Sequence, residues 1–385
     1  MKKVLIALVV LLFAVSVYAE SRLDLTGQMR IEGHSFDNLQ NFDDDDDRDQ
    51  ENWFEQRLRA YGKINVAEGV SVQFRLDFDE EQWGTEGSHG TSEIQTDRAF
   101  LEIDKDMYRL RAGRQLFGLG NYMALDHNGV GFLATLKTPV SVTLGYVKVS
   151  EGDEDVEELT DDSDYGTEDI NVYVLNLGYK YNKAFNVNAF VGYEDGGDYL
   201  APDNLTYDPD EDEYTGTTTS TRGEYDRMVL GLQADGTIRN IFNYNVEYNN
   251  YSGEINDEDV DYVGNQFYGD LNVNLGMFKV GTEVFYALGT DEDDEEQTTN
   301  LAEQYGLWDD FVPMGNFADS DILDFAFSDG YTNHGVFELE SNSGSMGIVP
   351  YVSFSPIDKL SLLVNVGYFE PEEDSVTNIE SVAVA

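Results

Sequence analysis

Of the 23 basic side chains in the sequence, nine lie between Arg57 and Arg114: Arg57, Arg59, Lys63, Arg75, Arg98, Lys105, Arg109, Arg111 and Arg114. A guanidinium stays charged at any working pH, and its planar fork can give two parallel hydrogen bonds to a carboxylate or phosphate. Such groups recognise anions and dipoles; they do not shuttle protons. Arg57, Arg59 and Lys63 alternate with Leu58, Ala60, Gly62 and Ile64, and Arg75 shares the parity of Gln73 and Asp77. Arg98 alternates with Ala99 and Leu101, and Arg109 and Arg111 with Tyr108, Leu110 and Ala112. If these stretches are strands, Arg57, Arg59, Lys63, Arg75, Arg98, Arg109 and Arg111 form a basic ladder on one polar face. Arg114 has the wrong parity and is expected at a mouth or after a bulge. Glu55, Asp77, Asp79, Asp97 and Glu102 lie close by, and pairing with them could simply balance the wall.

The other chemistry-bearing residues point away from catalysis. The four histidines, His34, His89, His127 and His334, fall in expected loops or at loop edges, and Asp126–His127 is the only adjacent acid–histidine pair. No Gly-x-Ser-x-Gly or His-Glu-x-x-His occurs. The expectation is a protein that is not an enzyme and has no catalytic cofactor. Acidic runs at Asp43–Asp47, Asp208–Glu213 and Asp291–Glu296 lack EF-hand spacing, so at most they hold divalent cations loosely.

The elements that must position the ladder are read from period two. Leu23, Leu25, Gly27, Met29 and Ile31 alternate with Asp24, Thr26, Gln28, Arg30 and Glu32; the same pattern recurs at 70–79, 185–194, 242–248 and 360–368. Such alternation gives strands with one apolar and one polar face. Strands are expected at 22–33, 52–65, 70–80, 93–104, 107–116, 129–137, 140–149, 170–181, 185–194, 225–238, 242–252, 261–274, 277–288, 345–355, 360–369 and, weakly, 377–385. Short connections alternate with long ones at 34–51, 81–92, 117–128, 150–169, 195–224, 253–260, 289–344 and 370–376. Short turns on one rim and long loops on the other predict an all-β, transmembrane, antiparallel up-and-down barrel of about 16 strands. Its apolar residues would face lipid and its polar residues a wet lumen. There the basic ladder would oppose a polar to acidic wall (Asp235, Glu247, Asp270, Glu283 and many Asn), setting up a transverse field. Tyr and Phe cluster at expected strand ends, as aromatic girdles do. Pro350 sits badly in its strand, because it lacks a ladder donor.

The 385 residues carry 76 acidic side chains and a formal net charge of −53, which excludes a phosphate-binding nucleic-acid surface. The absence of cysteine excludes disulfide scaffolds and thiolate metal sites. Acid concentrates in loops: 35–51 holds eight Asp/Glu, 150–168 ten, 195–224 nine and 289–343 fifteen. Lys2, Lys3, the apolar run Val4–Val17 and the small residues before Ala19 predict a signal peptide, 1–19, cut after Ala19. Residues 20–385 would form the barrel, with 289–344 folding over or into the pore.

The stretch from Arg109 to Gly120, Arg-Leu-Arg-Ala-Gly-Arg-Gln-Leu-Phe-Gly-Leu-Gly, together with the signal peptide and alternating strands, resembles Gram-negative outer-membrane porins, particularly the alginate-export-like branch. The resemblance implies passive transport of small polar or anionic solutes, oligosaccharides among them, through an Arg-lined lumen. It also implies contact with outer-membrane lipid and lipopolysaccharide, and it leaves room for a homotrimer. Families of this kind usually close on a strand ending in Phe or Trp. The segment to Ala385 does not, so 18 strands are possible for a longer chain. Two alternatives use the same frame: an adhesin whose loops bind a surface without solute flux, and an outer-membrane hydrolase.

Overall fold

The computed structural model describes residues 22–37, 50–82, 94–150, 170–196, 199–201, 206–208, 213–215, 220–222, 225–255, 260–288, 297–298, 345–357, 360–370 and 382–384. The signal-peptide reading, most of the acidic loops and nearly all of 289–344 lie outside the described residues.

In chain order the strands are β1 (Leu23–Asp37), β2 (Gln50–Ala67), β3 (Val70–Gln82), β4 (Ile94–Asp104), β5 (Tyr108–Leu119), β6 (Leu125–Leu136), β7 (Val140–Ser150), β8 (Ile170–Asn182) and β9 (Phe185–Gly196). Four short strands follow: β10 (Tyr199–Ala201), β11 (Thr206–Asp208), β12 (Glu213–Thr215) and β13 (Ser220–Arg222). Then come β14 (Tyr225–Ile238), β15 (Phe242–Ile255), β16 (Val260–Leu275), β17 (Phe278–Ala287) and β18 (Gln297–Thr298). Last are β19 (Ser345–Ile357), β20 (Leu360–Asn365), β21 (Gly367–Glu370) and β22 (Val382–Val384). The chain divides into two compact units, 1–116 with 128–137, and 117–127 with 138–385.

In the first unit β1 to β5 pair antiparallel in sequence order. Apolar side chains on one face are exposed: Leu25 48%, Met29 61% and Ile31 54%. On the other face Ser71, Arg75 and Glu102 are buried. A water-soluble sheet would show the opposite arrangement.

The second unit continues in the same manner. From β7 to β9, then β14 to β17, then β19, each strand pairs antiparallel with the next. Its outer face exposes Leu144, Leu177, Leu230 and Leu232, while Glu194, Arg227, Glu247, Asn249 and Glu283 are buried on the inner face. On the outer face Tyr146, Tyr173 and Tyr193 line up across three strands, with ring centroids 5.5 and 6.4 Å apart. Tyr179, Tyr181, Phe185 and a stacked Phe278–Phe354 pair lie toward the short turns. The stretch Tyr173–Tyr181 rises about 27 Å at about 3.4 Å per residue. A tilt of about 40° reduces that to about 20 Å, close to the apolar band of about 25 Å in outer-membrane barrels.

The turns have the residues they need. Arg239 and Asn240 both hold positive φ (54° and 57°) between β14 and β15, as a two-residue primed turn requires. Gly69 (φ 66°) and Gly276 (φ 70°) do the same work at their hairpins.

Pro350 is accommodated inside β19. Its carbonyl accepts the Val366 N–H at 3.1 Å, so its missing N–H would have pointed back at Val366. The ladder therefore breaks at that residue, and the expected 360–369 strand is two pieces, β20 and β21.

Candidate functional site

In the first unit the structure gathers the expected ladder on one face and interleaves it with carboxylates. Arg59 Nε donates to Asp77 at 3.0 Å. Arg111 Nε donates to Glu102 at 2.8 Å and its guanidinium lies 5.4 Å from the Phe100 ring centre. Glu102 also accepts Gln73 Nε2 at 2.8 Å. Arg109 pairs with Asp104 at 2.9 Å, and Lys137 joins the same carboxylate. Lys63 is exposed, in register with Asp24 on one side and Gln73 on the other.

Arg75 and Arg98 stand directly opposite each other on β3 and β4. Two like charges in register destabilise a sheet. The register shifts at this point, so Asp97 becomes the extra residue of a bulge. Asp97 then bonds Arg75 and also lies 3.3 Å from Arg98 Nε, which in turn donates to Asn128 at 2.9 Å. Strict alternation would have sent Asp97 to the apolar face; the bulge re-aims it. Arg114, of the wrong parity, is exposed and donates to the Asp97 carbonyl. Arg30, absent from the expected ladder, lies in register opposite Arg57; the even parity of Asp24, Thr26 and Gln28 was its signal.

In the second unit the polar face also seats a segment of the chain. Residues 117–128 were expected as a long loop. Instead β5 runs on to Leu119, a turn spans 120–124, and β6 begins at Leu125. The turn lies against the inner face of β14 and β15. The Asn121 N–H donates to the Glu247 carboxylate. The Asn121 and Asn245 amides bond each other reciprocally at 3.1 and 2.8 Å, and Gln233 Nε2 donates to Asn121 Oδ1 at 2.6 Å. Gly120 has φ 61°, and a Cβ there would stand 2.2 Å from the Glu247 carboxylate, so only glycine fits. Phe117, Leu119, Met123, Ala124 and Leu125 are buried, and so are Val172, Val174, Phe190 and Val229 on the inner face. Burial of each large apolar side chain contributes about 1.5–3 kcal/mol, so this turn is seated, not loose. The expectation that apolar residues face lipid is corrected here: Val172, Val174, Phe190 and Val229 are buried on the inner face, beside polar groups such as Glu194 and Arg227. The pore-filling role expected of 289–344 lies outside the described residues.

At that level Arg227, 2% exposed, grips Glu194, fully buried, through two bonds of 2.9 and 2.8 Å, and Tyr225 donates to the same carboxylate. Below the turn, toward the short hairpins, the face is a lattice of amides and acids in which Asn186, Asp235, Asn245, Asp270 and Glu283 share one register row. Asp126 and His127 are consecutive in β6, where successive side chains point to opposite faces. Among the described residues no group of three or more His, Cys, Asp or Glu could hold a metal ion.

No family model matches this chain, and no curated protein does. Solved structures do. The loop-L8 deletion mutant of OmpT, an outer membrane protein of Vibrio cholerae, is similar over 90% of this chain and 93% of its own, at 11% identity and TM-score 0.51. Full OmpT from that organism's outer membrane gives 94%, 93%, 10% and 0.50. The anion-selective porin from Comamonas acidovorans gives 94% of each chain, 10% identity and TM-score 0.50. The fold is a porin-like outer-membrane β-barrel. At such identity the likeness carries architecture alone: antiparallel, up-and-down and all-β. The outward apolar face and inward polar face of each unit are what that architecture demands in lipid.

Proposed function

We propose that this protein is an outer-membrane porin that lets small polar or anionic solutes diffuse through a lumen lined by Arg57, Arg59, Lys63, Arg75, Arg98, Arg109 and Arg111. The observation that carries the reading is the inverted distribution of side chains: leucines out, arginines and glutamates in, on a porin-like barrel. A water-filled path needs a polar wall, and fixed charge on that wall sets ion preference. Asp77, Asp97, Glu102 and Asp104 anchor the arginines in place, and Arg30 and Lys63 belong to the same face. The Arg109–Gly120 resemblance to alginate-export-like porins adds the expectation that carboxylated saccharides are among the anions. Placement in a lipopolysaccharide-bearing outer membrane, after removal of a signal peptide, belongs to the same proposal. So does assembly as a homotrimer, which cross-linking in native membranes would read.

Planar-bilayer recording tests it. The purified mature chain should open stable ion-conducting channels. Replacing Arg59, Arg98 and Arg111 with Ala should move the reversal potential in a salt gradient toward cation preference, because Asp77, Asp97 and Glu102 each lose one of two cationic partners. An unchanged reversal potential would place these side chains away from the narrow part of the path. Absence of any channel would leave a surface-binding barrel as the better reading.

A further inference from the structure

The inner face of the second unit carries a recess of about 440 Å³ beside the short hairpins, with Asn186, Asp235, Asn243, Asn245, Asp270 and Asn272 in its lining. No arginine lines it; of its two lysines, Lys183 is in the β8–β9 turn and Lys180 lies near the end of β8, opposite Asn186. Its polar groups hold one another in fixed orientations. Thr237 Oγ1 donates to Asn243 Oδ1 at 2.8 Å, Asn243 Nδ2 to Asn272 Oδ1 at 2.7 Å, and Asn272 Nδ2 to Asp270 at 3.0 Å. Tyr351 gives its hydroxyl proton to the other Asp270 oxygen at 2.8 Å, and Asn186 donates to Asp235 at 2.8 Å. Each carboxylate oxygen still has lone pairs to offer, and each amide nitrogen has a second proton. The lattice reaches the inward turn through Asn245 and Gln233, which hold Asn121.

We infer that this recess is a binding subsite for neutral, hydroxyl-rich solutes, with short uncharged oligosaccharides as the best fit. A sugar hydroxyl both donates and accepts. It can give its proton to Asp235 or Asp270 while taking one from an adjacent amide, so a wall that mixes carboxylates and amides satisfies it completely. An anion meets Asp235 and Asp270 within the amide lattice, and the only cations of the lining, Lys180 and Lys183, are exposed at the end of the recess near the β8–β9 turn. An apolar solute would leave the amides unpaired, which disfavours it. A simple cation would be drawn to the acids and leave the amide protons unused. The donor–acceptor pattern repeats from strand to strand, about 4.8 Å apart, which suits a chain of like units better than a single ring. The inference deepens the porin reading, because the recess meets passing solute only if that face lines the lumen.

Titration calorimetry on the full mature chain in detergent micelles tests it with maltotriose and trigalacturonate as probes. Maltotriose should bind saturably, at least tenfold more tightly than the uronate. Asp235→Asn with Asp270→Asn, which keep shape and most hydrogen bonds, should weaken maltotriose at least fivefold and narrow the gap to the uronate. The wild-type comparison alone is decisive if a variant fails to fold. No saturable maltotriose binding, or uronate binding as tightly, overturns the inference. Channels in bilayers without maltotriose binding would overturn it and leave the porin reading standing; binding without channels would do the reverse.

Discussion

Asp97 shows how much one side chain can settle. It holds apart two arginines that the β3–β4 register sets face to face, and Arg75 is nearly buried. An exposed ion pair contributes about 0–1 kcal/mol. Loss of one partner of a buried pair costs more, because the remaining charge stays unsolvated. Asp97→Asn should therefore destabilise the barrel by about 1–3 kcal/mol, read as a lower urea midpoint for unfolding from lipid vesicles. The same change leaves two guanidiniums less neutralised, so the channel should shift toward anion preference. A midpoint within error of wild type would mean that solvent already screens the pair. Alternation in the sequence was enough to place Arg59, Arg75, Arg98, Arg109 and Arg111 on one face. It could not place Asp97, since a bulge is set by pairing between strands and leaves no periodic trace in either.

At the scale of elements, strand positions were largely legible: β3, β7, β8, β9 and β14 begin where period two begins, and the short hairpins fall where expected. The turn at 120–124 was not. Its apolar residues obey no period, because they pack on another strand's inner face rather than repeating along their own. The amide row was visible as a count of Asn, but its register was not. The residue that most constrains the turn is Gly120, with its positive φ and no room for a Cβ. Gly120→Val should unseat the turn from Glu247 and Asn245, at a cost of about 1–3 kcal/mol in backbone strain alone. If the proposed ion path passes this turn, the variant should show a larger and noisier conductance in single-channel recordings. Conductance equal to wild type would show that the turn lies outside the path of ions.

For the whole molecule the question is which solvent meets the apolar face. Leu177, 39% exposed, lies midway along β8 between Tyr173 and Tyr181, so the girdles place it near the bilayer midplane. In water, an exposed leucine replaced by arginine changes stability by no more than about 0.5 kcal/mol. On a lipid face at that depth the charge costs about 2–4 kcal/mol. Thr26 offers the contrast: it is exposed on the polar face of β1, beside Lys63 and Tyr61. Leu177→Arg should thus lower the unfolding free energy from vesicles by about 2–4 kcal/mol, while Thr26→Arg should change it little and alter ion preference instead. Both substitutions introduce the same charged side chain, so the contrast between them reports chiefly the medium around each site. Equal, small effects at the two positions would mean that water bathes both faces, and the transport reading would lose its physical basis.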